Sequence, residues 1–178
     1  MSRAAKTSNR RGAEAPARPR LDLERYVPAL LTFLANKLSK TATATYEREF
    51  GVNVTEWRIL SLLALEPGAT AARICAVIGF DKGPVSRTLA AMQAVGMLTA
   101  QDDPADARRR RLVLTAKGEA VHDRIIAVAL EREARLLACL NERERETLTS
   151  LLNRLHANLP AVTGERLKLA AGEHRQDP

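Results

Sequence analysis

Aromatic side chains are scarce in this chain, with one Trp, two Tyr and three Phe among 178 residues. A core must therefore rest on Leu, Ile, Val and Ala, a composition that suits packed helices. Histidine is equally thin. His122, His156 and His174 are scattered, and no H-x-x-x-H or C-x-x-C pair offers zinc-ligand spacing, so no metal site is expected. A Gly-rich phosphate loop, a Ser-His-Asp order and a nucleophile elbow are all missing, which argues against an enzyme and leaves no candidate catalytic residue. No uninterrupted stretch approaches the roughly 20 apolar residues of a membrane helix, and no apolar segment follows the basic start. The expectation is a cytoplasmic protein without a membrane partner.

What the chain does have is length and apolar content sufficient for one modest domain plus tails, at 46% hydrophobic residues. Its formal charge of +7 is uneven. Residues 1–20 hold six basic side chains against Glu14 alone, which leaves 22 basic and 20 acidic residues for the other 158. With Gly12, Pro16 and Pro19 and no apolar periodicity, residues 1–20 form a disordered basic tail in this reading. Such an arm either adds DNA affinity by releasing counterions or acts as an inert solubilising tail. The nearly balanced body argues for cations placed locally, not for a non-specific polycation.

The local placement is legible from about residue 55. Thr70 is positioned to cap a short helix with Ala71, Ile74, Cys75 and Ile78 on one face, and Gly79-Phe80 breaks it. Asp81 is positioned to cap a second helix running to Gly96. Two short helices joined at a glycine turn suggest a helix-turn-helix. In the second, Val85, Leu89 and Met92 recur at i, i+4 and i+7 and share the buried face, so Lys82, Ser86 and Arg87 point outward. An ammonium that seeks phosphate, a hydroxyl, and a guanidinium able to grip guanine with two hydrogen bonds make this a candidate recognition helix.

After Gly96, Met97 to Ala100 reads as a strand and Arg111 to Leu114 as its partner, with Leu112 and Leu114 on one face. Between them Asp103-Pro104-Ala105-Asp106-Ala107 leads into four consecutive arginines, Arg108 to Arg111, read here as an arginine-rich turn. In isolation such a run is a solvated loop; after a recognition helix it is a wing that aims cations at DNA, which makes Arg108, Arg109 and Arg110 candidate DNA contacts.

The order helix, helix, strand, Asp-rich turn, strand, Leu-Thr-x-x-Gly resembles the MarR family of winged helix-turn-helix transcriptional regulators. Asp106-Ala107-Arg108 matches the D-x-R wing signature, Leu112, Leu114, Thr115 and Gly118 match its tail in register, and Val85-Ser86-Arg87 matches the recognition helix. Position 109, commonly small in the family, is arginine here. The resemblance implies that Arg108 enters a minor groove while Asp106 holds the wing turn or orients that arginine. A narrow minor groove concentrates negative potential, which is the physical reason for an arginine there.

The rest of the chain supplies helices. Tyr26 or Val27 with Leu30, Leu31, Leu34 and Leu38 form a stripe on a long first helix that ends near Phe50-Gly51. A second helix opens at a Thr55 cap and is apolar almost all round through Trp57, Ile59, Leu60, Leu62, Leu63 and Ala64, which makes it the expected buried centre. Thr115 caps another helix carrying Val121, Ile125, Val128, Ala129, Leu136 and Leu140, and Asn141 to Glu144 resembles a capping box opening a last one. There Leu148, Leu151, Leu152, Leu155 and Leu159 repeat at amphipathic spacing until Pro160 stops the helix. Pairing the first and last helices with those of a second copy would bury these stripes, as the family resemblance also implies.

The resemblance further implies a small aromatic or phenolic acid as effector. Arg58 and Ser61 form a polar strip early on the second helix and, with Trp57, could hold a carboxylate against an apolar wall; the alternative is a core Trp57 and an Arg58 that snorkels or pairs with an acid. Some family members sense peroxide through a thiol. Cys75 lies on an apolar face and Cys139 among Leu136, Leu137 and Leu140, so both read as small core residues; Cys139, with Arg135 nearby, is the redox candidate. Glu131, Glu133, Glu142, Glu144 and Glu146 alternate with arginines as solvated ion pairs.

The sequence thus predicts a mainly α fold with a small β-wing: a winged helix-turn-helix over 55–114, dimerisation helices over 21–50 and 115–160, and tails at 1–20 and 161–178. The expected function is a sequence-specific DNA-binding transcriptional regulator, a ligand-responsive repressor holding a pseudo-palindromic double-stranded operator as a homodimer, with no cofactor beyond the effector. The alternatives are a thiol-based redox sensor, a low-specificity architectural DNA protein, and a protein interaction module.

Overall fold

Residues 20–104 and 106–163 are described by the computed structural model, so apart from Arg20 the basic tail lies outside the described residues, as do residues 164–178. The chain divides into two compact units between Val54 and Thr55.

The first unit is one long helix. Helix α1 (Val27–Phe50) has a proline in its first turn, where no amide hydrogen is needed, and ends at Gly51. Gly51 takes the left-handed conformation at φ 68°, so its own amide reaches the Glu47 carbonyl and that of Val52 reaches Tyr46. Ala42, Tyr46 and Val52 are buried, whereas Val27, Leu30, Leu31 and Leu34 stand 41–51% exposed. The predicted stripe exists, and this chain leaves it in solvent.

Helix α2 (Val54–Leu65), all but its first residue in the second unit, starts one residue before the predicted Thr55 cap. Ile59, Leu60, Leu62 and Leu63 are buried, but Ala64 is exposed and Leu65 is 83% exposed, so the helix is not surrounded on all sides. Its uniform apolarity hid which side faces out.

Helix α3 (Ala71–Ile78) is capped as predicted, with Thr70 Oγ1 accepting from the Arg73 amide, and stops at Gly79 at φ 70°. Helix α4 (Lys82–Ala94) ends two residues before Gly96, and Asp81 occupies the cap position without a side-chain cap bond. Val85, Leu89 and Met92 are buried as the spacing predicts.

Strands β1 (Leu98–Asp103) and β2 (Asp106–Leu114) pair antiparallel, from Leu98 opposite Leu114 to Asp103 opposite Asp106. The hairpin is therefore longer than predicted, and Arg108 to Arg111 lie within β2 instead of forming the turn. Both faces of the outer hairpin meet solvent, so the alternation that betrays a half-buried strand is absent there. At its inner end Leu98 and Leu112 are buried, and Leu112 bridges to Ala69, which docks the hairpin on the α2–α3 loop.

Helix α5 (Ala116–Leu136) is capped by Thr115, whose Oγ1 accepts from the Gly118 amide, and it buries Ile125. A short 3-10 turn (Leu137–Cys139) follows and leaves Cys139 exposed, so Cys139 is not the core residue its apolar neighbours suggested. The capping box is formed at Asn141 and Glu144, opening α6 (Glu142–Ala157). Pro160 does not stop this helix. Asn158 does, and Pro160 falls in the first turn of a short α7 (Leu159–Thr163), where a missing amide hydrogen costs nothing. Leu148, Leu151, Leu152, Leu155 and Leu159 are 38–51% exposed. Among the described residues no helix is long and apolar enough to cross a membrane.

Candidate nucleic-acid interface

The surface of α4 follows from its buried side. With Val85, Leu89 and Met92 anchoring the buried stripe, Lys82, Ser86 and Arg87 are all exposed, Lys82 and Ser86 one turn apart and Arg87 further round the helix. Among the described residues neither Lys82 nor Arg87 forms an ion pair. Their charges are therefore not spent on the protein's own carboxylates and stay available to phosphate oxygens and base edges.

The hairpin is organised differently. Arg109 Nε lies 3.3 Å from the Asp106 carboxylate, and Arg110 donates to Asp102 at 2.9 Å and to the Ala100 carbonyl at 3.4 Å. Asp106 thus meets Arg109, and Arg108 is placed by its backbone, in β2. Over 98–114 four arginines face three aspartates, so the hairpin carries far less net charge than its arginine run suggests. All the paired side chains are well exposed, and such pairs add little stability. Their effect is on direction, since Asp106 holds Arg109 from the same strand and Asp102 holds Arg110 from across the hairpin.

Arg111 stays exposed and lays its guanidinium over the α2–α3 loop. Gly68 takes φ +89°, and a Cβ there would meet Arg111 Nε at 2.6 Å, so only glycine admits the guanidinium over this turn. Beside it Arg73 donates twice to Glu66, at 2.9 and 2.7 Å, which ties α3 to the same loop. Those hydrogen bonds hold the Glu66 carboxyl below its ordinary range and raise the Arg73 guanidinium.

Trp57, Arg58 and Ser61 are brought together as predicted. They line a cavity of about 450 Å³ with Leu62, Leu65, Val77 and Ile78. Trp57 is half-buried, not core. It stacks on His122 of α5, with centroids 5.4 Å apart and planes 23° from parallel. The Arg58 guanidinium lies 5.6 Å above the Phe80 ring, a cation–π arrangement. Ser61 Oγ donates to the Trp57 carbonyl. Sequence reasoning passed over Phe80 and His122; the signal for His122 was its place three residues before the buried Ile125, on the same side of α5.

A second hollow, about 510 Å³, runs along α6 beside Leu151, Arg154, Leu155, Ala157 and Asn158, and none of the candidate side chains borders it. Cys139 Sγ lies 3.7 Å from the Leu136 carbonyl, and Arg135 is engaged with Glu131, one of the predicted ion pairs. Among the described residues no cluster of His, Cys, Asp and Glu is suited to a metal ion.

Comparison with known proteins gives this geometry its setting. The model of the MarR family matches residues 50–109, from the end of α1 into β2. A MarR/EmrR family transcriptional regulator from Acinetobacter sp. ADP1 superimposes with a TM-score of 0.75 at 30% identity, over 79% of this chain and 99% of that one. The transcriptional regulator HosA of Escherichia coli O111:H- is 25% identical over 120 residues, 67% of this chain and 89% of its own. MepR of S. aureus, solved as a DNA complex, shares the fold with a TM-score of 0.68 at 20% identity, over 76% of this chain and 98% of that one. The Acinetobacter protein and HosA are transcriptional regulators, and the two solved structures share this fold. The chain belongs to the MarR family of DNA-binding transcriptional regulators.

Proposed function

We propose that this protein is a ligand-responsive repressor that holds a pseudo-palindromic operator as a homodimer. The observation that carries the proposal is the exposed face of α4, where Lys82, Ser86 and Arg87 stand above a buried Val85, Leu89 and Met92. In this reading Arg87 addresses a base edge, Lys82 and Ser86 hold phosphates or a base, and Arg108 reaches the minor groove from the hairpin. Arg109 and Arg110 follow the backbone while their aspartates limit non-specific attraction. The fold shared with MepR, which is solved on DNA, supports this placement.

The exposed leucines of α1 and α6 support the homodimer. Burying a Leu side chain contributes roughly 1.5–3 kcal/mol, so eight or so half-exposed apolar residues are a strong incentive to pair. A dimer also sets the mechanics: two recognition helices must reach successive major grooves about 34–36 Å apart. The cavity lined by Trp57, Arg58 and Ser61 supports an effector, a small aromatic or phenolic acid whose carboxylate meets Arg58 and whose ring meets Trp57. Effector binding that alters the groove spacing then releases the operator.

The test is binding to the intergenic duplex beside the protein's own gene, over a salt series and against random duplex of equal length. Tight, competitor-resistant binding with two protomers per site is the expected result. Equal affinity for both duplexes would replace the repressor with an architectural role.

A further inference from the structure

Three consecutive carbonyls close the C-terminal end of α4, and all three are met by the first residues of α5. Lys117 Nζ donates to the Val95 carbonyl at 2.7 Å, Thr115 Oγ1 donates to that of Gly96 at 2.7 Å, and the Thr115 amide donates to that of Met97 at 3.1 Å. Thr115 Oγ1 meanwhile accepts from the Gly118 amide at 3.2 Å, so one hydroxyl serves both helix ends. A Cβ on Gly118 would lie 2.0 Å from the Met97 carbonyl oxygen, a separation no side chain tolerates against backbone. Lys117 is misplaced for its own helix, because a cation in the first turn opposes the positive end of the α5 dipole. Its ammonium fits the negative end of α4, where helix carbonyls lack amide partners.

We infer that Thr115, Lys117 and Gly118 are positioning residues for DNA recognition, a clamp that makes the recognition helix α4 turn with α5. The inference rests on the operator reading above, and it gives that reading a mechanical link. Helix α5 leads to α6, whose apolar face is the proposed dimer contact, so the angle of α4 over a groove is set from the dimer side through this joint. None of the three residues touches a base in this account; they act on sequence preference through α4.

The test uses the full-length protein with Lys117→Met, which keeps the aliphatic stem and removes the donor, and with Thr115→Val and its conservative counterpart Thr115→Ser. Thermal melting, affinity for the intergenic and scrambled duplexes over a salt series, and amide exchange of residues 91–98 in the free protein are measured. Lys117→Met is expected to melt like the wild type, to lose roughly tenfold in affinity for the intergenic duplex, and to keep its scrambled-duplex affinity and salt slope. Thr115→Val is expected to lose more and Thr115→Ser to retain the wild-type preference. Unchanged intergenic binding would overturn the clamp, and so would an equal loss on both duplexes with a shallower salt slope, which would make Lys117 a phosphate contact. If the wild type itself does not discriminate, the operator reading fails and exchange decides the clamp: faster exchange of the α4 amides in Lys117→Met supports it, and unchanged exchange overturns it.

Discussion

Helix α4 carries two cations and the hairpin four, and the two regions use them in opposite ways. On α4 Lys82 and Arg87 have no ion-pair partner among the described residues, and the scaffold beneath them is a buried apolar stripe. On the hairpin Arg109 and Arg110 are held by Asp106 and Asp102, and Arg111 covers Gly68. The difference teaches that a count of arginines does not measure attraction for DNA. Lys82 and Arg87 stand unpaired among the described residues over a buried base, whereas the charges of Arg109 and Arg110 are partly offset in place.

The largest way to break the contrast is to remove the base under α4. Leu89→Ala opens a cavity beneath the recognition face and should cost about 2–5 kcal/mol of folding stability by denaturant titration. Sequence-specific binding should fail before the far-ultraviolet helix signal does.

A smaller effect sharpens the hairpin side. Asp102→Asn keeps a hydrogen-bond acceptor near Arg110 and removes the offsetting charge. Affinity should rise alike for operator and random duplex, by roughly tenfold or less, with the salt slope steeper by about one unit at most. A gain confined to the operator would mean that the hairpin reads sequence.

The smallest effect concerns the loop on which both regions rest. Since Arg73 holds the Glu66 carboxyl below its ordinary value, the pair contributes stability above the unfolded carboxyl pKa, and that stability is lost as pH falls through the lower, folded value. Melting temperature followed from pH 6 down to pH 3 should therefore fall slightly more steeply in the wild type than in Glu66→Gln.

The contrast itself was only half legible in the sequence. The face of α4 could be read because Val85, Leu89 and Met92 carry a helical period on a helix with one buried side. The Thr115 cap and the Asn141 capping box were likewise legible, since the residue types needed for those bonds are few. The extent of β2 was not, because Arg108 to Arg111 alternate nothing: both faces of the outer hairpin are wet. Nor could the partner of Arg110 be read, since its cross-strand pairing with Asp102 depends on a register that begins far away, at Leu98 and Leu114. Trp57, Arg58 and Ser61 were found as a group because they share a helix, while Phe80 and His122 reach them only through tertiary packing. Cys139 and Pro160 were misjudged for a common reason. Each sits where one helix ends and another begins, and a few degrees of backbone decide exposure and continuity there.

The most direct test of the account is the operator-over-random affinity ratio of Arg87→Ala set beside that of Arg108→Ala. The account predicts a loss of about 1–3 kcal/mol on the operator with a collapsed ratio for Arg87→Ala, and an even weakening on both duplexes with the ratio kept for Arg108→Ala. An intact ratio in Arg87→Ala, or a collapse in Arg108→Ala alone, would contradict it and move sequence reading from α4 to the hairpin.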